Sequence, residues 1–169
     1  MPDVVMVIAP TVFRDEEYAE PKAVLEARGA NVVTASVQPG ECVGRFGLVA
    51  NATVSVADAA QRPWDAVIFV GGGGAAVYFD DEAAHALARA QAASGEVLAA
   101  ICIAPSTLAH AGLLGAVRAT AFPDREDDLK AHGAIWTGEP VTVDGRIITG
   151  NGPEAATAFG EAVAEALGI

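Results

Sequence analysis

"DAVIFVGGGG", residues 65–74, decides the fold. Ala66 to Val70 are apolar without alternation, so both faces of this strand are predicted to be covered. That is the pattern of a central parallel strand lying between two layers of helix. The glycine run predicts a tight turn, and "DDEAAHALARAQAASG" (80–95) then opens with acids and closes with glycine, as a capped helix does. "VLAAI" (97–101) repeats the doubly buried pattern and runs into "CIAPSTLAHAG", with Pro105 in the first turn of a further helix.

Moving outward, "VVMVIA" (4–9) reads as a first strand, followed by a polar stretch and a helical segment ending at "EARGA", where Gly29 is the stop. "NVVTAS" (31–36) reads as a strand, and residues 40–58 as an inserted hairpin or edge β element without a long helix. "VDGRIITG" (143–150) carries the Asp-Gly pair of a tight hairpin. Pro153 marks a last helix start, with Phe159, Val163 and Leu167 on one face. Strands and helices in alternation predict an α/β fold with a mostly parallel sheet, built as a single domain over residues 1–169.

The formal charge is −12 with scattered basic residues, which argues against nucleic acid or an anionic membrane as partner. No apolar run approaches the roughly 20 residues of a membrane span. "MPDVVMVIAP" has neither a basic start nor a small-residue cleavage site, so a cytoplasmic protein is expected. Cys42 and Cys102 are expected as free thiols, and with three histidines they form no recognisable metal site.

In open α/β sheets ligands bind at the carboxyl ends of the strands. Three features converge there: Asp15, Glu16 and Glu17 in the loop after the first strand, the turn Gly71 to Gly74, and Cys102 at the start of a helix. Backbone N–H groups and the helix dipole at such a position favour thiolate over thiol, an effect that in known cases lowers a thiol pKa from about 8.5 to roughly 3.5–7.5. The glycine turn can offer amides to an oxyanion, and a nearby carboxylate can relay protons. The opposing reading of Cys102 is a small buried hydrophobe. Gly71, Gly73 and Ala76 fit a dinucleotide fingerprint, but the following helix starts late and the next strand ends in Cys102 rather than an acid. His85, His110 and His132 read as structural or solvated. His110 lies eight positions beyond Cys102, roughly 12 Å along a helix, so no local Cys–His pair forms.

"AAICIAP" (99–105) resembles the nucleophile elbow of the ThiJ/PfpI superfamily, which includes the human parkinsonism-associated protein deglycase. The resemblance continues through "DAVIFVGG" (65–72), "LAHAGLL" (108–114), "RATAFPD" (118–124), "DDLKAHGAIW" (127–136) and "VTVDGRIITGNGPEAATAF" (141–159). It implies a flavodoxin-like doubly wound fold with helices on both faces, a homodimer or higher homo-oligomer, and no cofactor. It also implies that Cys102 is the reactive residue, that Glu17 is its acidic partner, and that the backbone at Gly72 and Ile103 forms an oxyanion hole. Glyoxalase, deglycase, peptidase, chaperone and oxidative-stress roles all occur in the superfamily.

Departures narrow these roles. The peptidase branch has a histidine where Ile103 stands and an acid where Ala76 stands; the deglycase branch has a histidine where Phe122 stands. Peptide hydrolysis needs a general acid for the leaving amine, and with only Glu17 left to supply it, protease activity is disfavoured. The expectation is a cysteine-dependent, glyoxalase- or deglycase-like stress protein with slow turnover of small 2-oxoaldehydes through a Cys102 hemithioacetal. The alternative is a peroxide-sensing or chaperone-like protein with a redox-active Cys102, with Cys42 as resolving thiol if the hairpin brings it close. Val12, Phe13, Asp15, Gly71 and Phe122 are the expected pocket residues, suited to a small, weakly charged substrate.

Overall fold

The computed structural model describes all residues 1–169. In chain order the strands are β1 (Asp3–Val7), β2 (Thr11–Phe13), β3 (Asn31–Ser36), β4 (Gly40–Gly44), β5 (Val49–Ala52), β6 (Val54–Ser55), β7 (Ala66–Phe69), β8 (Val97–Ile101), β9 (Arg118–Ala119), β10 (Ile135–Trp136), β11 (Val141–Asp144) and β12 (Ile147–Gly150). The helices are α1 (Asp15–Ala27), α2 (Val56–Ala59), α3 (Glu82–Ser94), α4 (Pro105–His110), α5 (Glu126–Ala131) and α6 (Ala156–Ala166).

The main sheet has seven strands in the order β11-β12-β8-β7-β1-β3-β6. Only the β11–β12 pair is antiparallel. Setting aside the two edge strands, the order is second, first, third, fourth, fifth, which is the flavodoxin-like arrangement. Its topological switch lies between β1 and β7, where connections leave in opposite directions and open a crevice.

Alternation along β1 distributes its side chains to two cores. Val4, Met6 and Ile8 join Leu25 and Phe159 on one face. Val5 and Val7 join Phe69, Leu87 and Leu108 on the other. All of these are fully buried or nearly so, so the uninterrupted apolar runs correspond to strands covered on both sides. The layer with α1 and α6 is tight: a Cβ on Gly160 would lie 2.7 Å from Pro21 Cα, so only glycine admits this approach of the two helices.

The expected inserted element is present. β4 and β5 pair antiparallel from Gly40↔Ala52 to Val43↔Val49, and β2 adds in parallel to make a three-stranded sheet. Two expectations change. Asp15, Glu16 and Glu17 are the first turn of α1 rather than loop, because acids there complement the helix dipole. The segment after the glycine turn is already a 3₁₀ helix, Gly73–Tyr78, before α3 begins at Glu82 with Asp81 as its N-cap.

Candidate active site

The centre is assembled from three adjacent strand ends. β8 delivers Cys102, β7 delivers Gly71 and Gly72, and the chain after β1 and β2 enters α1 carrying Glu17. Cys102 has φ +64, a left-handed conformation that non-glycine residues rarely adopt. Its cost is about 1–3 kcal/mol and must be held by the surroundings. The restraint is visible on both sides of the residue. Cys102 N–H donates to the Gly150 carbonyl at 2.9 Å, and the Phe122 N–H donates to the Cys102 carbonyl at 2.8 Å. Strand β12 and the segment after β9 thus fix the sharp turn from β8 toward α4.

Glu17 is the only carboxyl residue of the chain that is fully buried. Neither of its oxygens has a partner in full hydrogen-bond geometry. The Cys102 thiol, then the Arg14 guanidinium and least the Gly71 amide favour its charged form. Burial dominates and pushes the Glu17 carboxyl up to about 7.

The sulfur is subject to the same burial. Desolvation and the Glu17 carboxylate push the Cys102 thiol up to about 12, while the Gly72 and Ile103 amides oppose them. The expectation of a thiolate poised by its helix is therefore corrected. Helix α4 has only six residues and begins at Pro105, so its dipole is too short and too distant to outweigh burial. The two groups are coupled: ionising one disfavours ionising the other, and a proton moving between them costs less than a second charge.

Gly71 is required by this crowding. A Cβ there would lie 2.5 Å from Cys102 Cβ, 2.5 Å from Glu17 Oε1 and 2.7 Å from the Ile101 carbonyl. Gly72 has φ +94, and its Cβ would stand 2.3 Å from the Arg14 amide nitrogen. The turn is thus fixed against the entry to α1, with Arg14 N–H donating to the Gly71 carbonyl at 2.9 Å.

The structure brings together Cys102, Glu17, Gly71, Gly72 and Ile103. Phe122 is 42% exposed and lines a cavity of about 270 Å³ with Asn151, Gly152, Pro153 and Glu154. One lining residue, Phe122, is tied to the elbow by its N–H bond to the Cys102 carbonyl. Glu154, which the sequence reading did not single out, gives the cavity a polar wall. Val12 is exposed at φ +59, but Phe13 is wholly buried against Tyr18, with ring centroids 5.6 Å apart. Phe13 is therefore core, because β2 turns it inward. Asp15 accepts from the Phe46 and Leu48 amides at 3.1 and 3.0 Å, so its carboxylate fastens the β4–β5 turn.

Each histidine is engaged away from the sulfur. His85 Nε2 lies 2.6 Å from the Phe79 carbonyl. His110 Nδ1 is 2.7 Å from Asp80 Oδ1, and its Nε2 is 2.9 Å from both Asp128 oxygens. Burial opposes charge on His110, but these two carboxylates outweigh it and raise its pKa. His132 Nδ1 contacts the Asp128 carbonyl at 2.8 Å. The sequence signal for this second cluster was the i, i+4 spacing of Asp128 and His132 on one helix; the approach of His110 was not readable. Cys42 is buried on β4 with its Sγ 3.8 Å from the Gly40 carbonyl, and both cysteines are free. No helix is long and apolar enough to cross a membrane.

Comparison with known proteins adds context to this geometry. The DJ-1/PfpI family profile matches residues 3–166. An uncharacterised protein of Methanocaldococcus jannaschii is 38% identical over 97% of this chain and 82% of its own. A protein named as a deglycase from Pyrococcus abyssi is 28% identical over 88% of this chain and 90% of its own. Among solved structures, a ThiJ/PfpI domain protein from Brachyspira murdochii superposes with a TM-score of 0.94 at 30% identity, covering 98% of this chain and 96% of that one. Drosophila melanogaster DJ-1beta superposes with a TM-score of 0.91 at 27% identity, covering 98% and 90%.

Proposed function

Since the chain belongs to the DJ-1/PfpI family, we propose that it is a cysteine-dependent enzyme of the glyoxalase or deglycase type acting on small 2-oxoaldehydes. The observation that carries this reading is the buried Glu17 carboxyl beside Cys102, with its pKa raised to about 7. A general base works best when its pKa lies near the working pH. Relatives named as deglycases, from Pyrococcus abyssi and Thermococcus kodakarensis, support the same class of chemistry.

In the proposed cycle the Cys102 sulfur attacks the aldehyde carbon as Glu17 takes the thiol proton. The carbonyl electron pair moves to oxygen, which the Gly72 and Ile103 amides receive. Glu17 then gives its proton to the C2 oxygen, takes the C1 proton and delivers it to C2, while the C1 oxygen becomes the carbonyl of a 2-hydroxyacyl thioester. Water cleaves that ester, restores the thiol and releases the 2-hydroxy acid. For methylglyoxal the sum is methylglyoxal plus water giving lactate. Loss of one acid–base group is worth about 10²–10⁴ in rate, so a site without a histidine turns over slowly.

A homodimer through the inserted sheet fits the exposed apolar surface of this element. Val43, Val49 and Phe46 are exposed there, Phe46 by 63%, next to Val12. A face of this kind adjoining the site is what an assembling surface requires.

The test is detection of lactate from methylglyoxal by NMR with the wild type, Cys102→Ser and Glu17→Gln. Turnover in the wild type that is lost in Cys102→Ser and reduced at least 10²-fold in Glu17→Gln supports the proposal. An inactive wild type whose Cys102 is oxidised by peroxide instead gives weight to a redox sensor.

A further inference from the structure

A second cluster of chemically competent groups lies between α4 and α5. His110 ends α4, Asp128 lies in α5, and His132 is the C-cap residue of α5. One ligand atom from each of the three can be chosen so that all lie within 4.8 Å of one another. Asp128 Oδ1 is 2.9 Å from His110 Nε2 and 3.6 Å from His132 Nδ1. Ligands each about 2.1 Å from one metal, at angles of 90–110°, stand roughly 3.0–3.5 Å apart. The pairs about Oδ1 bracket that range, while the three atoms together spread over as much as 4.8 Å, so His132 must move to close the site.

We propose that His110, Asp128 and His132 bind one divalent cation of the zinc class, at a site separate from Cys102 that ties α4 to α5. Two imidazoles and one carboxylate form a borderline donor set, whereas magnesium and calcium take oxygen ligands. The surroundings of His110 support a ligand role. Its other ring nitrogen, Nδ1, is 2.7 Å from Asp80 Oδ1, the outer carboxylate contact that orients metal-binding histidines. The metal replaces the proton shared by His110 Nε2 and Asp128.

Two neighbours limit the arrangement. Arg125 lies 3.2 Å from Asp128 Oδ2, which leaves Oδ1 as the ligand oxygen. The His110 and His132 rings are stacked, with centroids 4.7 Å apart and planes inclined at 24°, so His132 must turn and release the Asp128 carbonyl to aim a lone pair at the cation. Its side chain is 37% exposed at a helix end, where that rotation is free of core packing.

The test is titration of the metal-stripped full-length protein with zinc by calorimetry and with cobalt by visible absorption. The variants are His132→Ala and the double substitution Cys42→Ser with Cys102→Ser. The expected result is one equivalent bound, an affinity at least tenfold weaker in His132→Ala, and unchanged binding without the thiols. No binding by the wild type overturns the proposal. So does a change below tenfold in His132→Ala, or loss of binding when the cysteines are removed.

Discussion

Gly71 and Cys102 approach so closely that a single methyl group cannot come between them: a Cβ on Gly71 would lie 2.5 Å from Cys102 Cβ. The same Cβ would lie 2.5 Å from Glu17 Oε1. The glycine turn is therefore a spacer that lets the thiol and carboxyl meet, and its lack of a side chain sets the geometry of the pair.

Gly71→Ala is expected to destabilise the protein by about 1–3 kcal/mol, the usual cost of overpacking a rigid site. Backbone atoms close one side of that position, so Cys102 or Glu17 must move. Denaturant unfolding and the methylglyoxal assay, run together, should show a lower midpoint and loss of turnover. An alanine variant with wild-type stability and activity contradicts the structure here.

The raised Glu17 pKa has a consequence for stability with a definite sign. Folded Glu17 holds its proton up to about 7, whereas the unfolded group releases it near 4.5. Between those values the folded state binds more protons, so stability falls as pH rises through the window. At about 1.4 kcal/mol per unit the loss attributable to Glu17 reaches up to about 3 kcal/mol by pH 8. Glu17→Gln should flatten that slope between pH 5 and 7, measured by urea unfolding at several pH values. An unchanged slope contradicts the burial argument.

The same group should govern turnover. If Glu17 acts as base, kcat/KM for methylglyoxal rises with pH and levels off above about 7, where the carboxyl is ionised. The rising limb should be absent from the residual activity of Glu17→Gln. A wild-type profile with no inflection near 7 assigns the proton transfer to another group.

Phe46, 63% exposed on the inserted sheet, is the natural probe of assembly. Phe46→Glu is expected to convert a dimer to a monomer in light scattering, with little loss of fold because the side chain has no core contacts to lose. A wild type that is already monomeric removes the inserted sheet as an interface.

Much of the fold was legible because its cause is local. The doubly apolar runs at 66–70 and 97–101 require cover on both faces, and Gly29 and Gly95 stop helices by adopting positive φ. The hairpin at 40–58 was legible in outline from its alternation. Phe13 was misplaced because a three-residue strand gives too short a pattern to say which face is inward. The Cys102 ionisation was misjudged because position before a helix suggests stabilisation, whereas the sign of the shift depends on burial and on a carboxylate 85 residues earlier in the chain.

The sequence by itself determined the alternation of strand and helix, the parallel sheet and the candidacy of Cys102 and Glu17. These follow from hydrophobic period, turn chemistry and family motif, all read along the chain. Only the tertiary structure decided that Glu17 is sealed from water, that Gly71 must be bare, and that His110 meets Asp128 and His132. Desolvation and side-chain approach are properties of space, set when distant segments pack, and no local pattern encodes them.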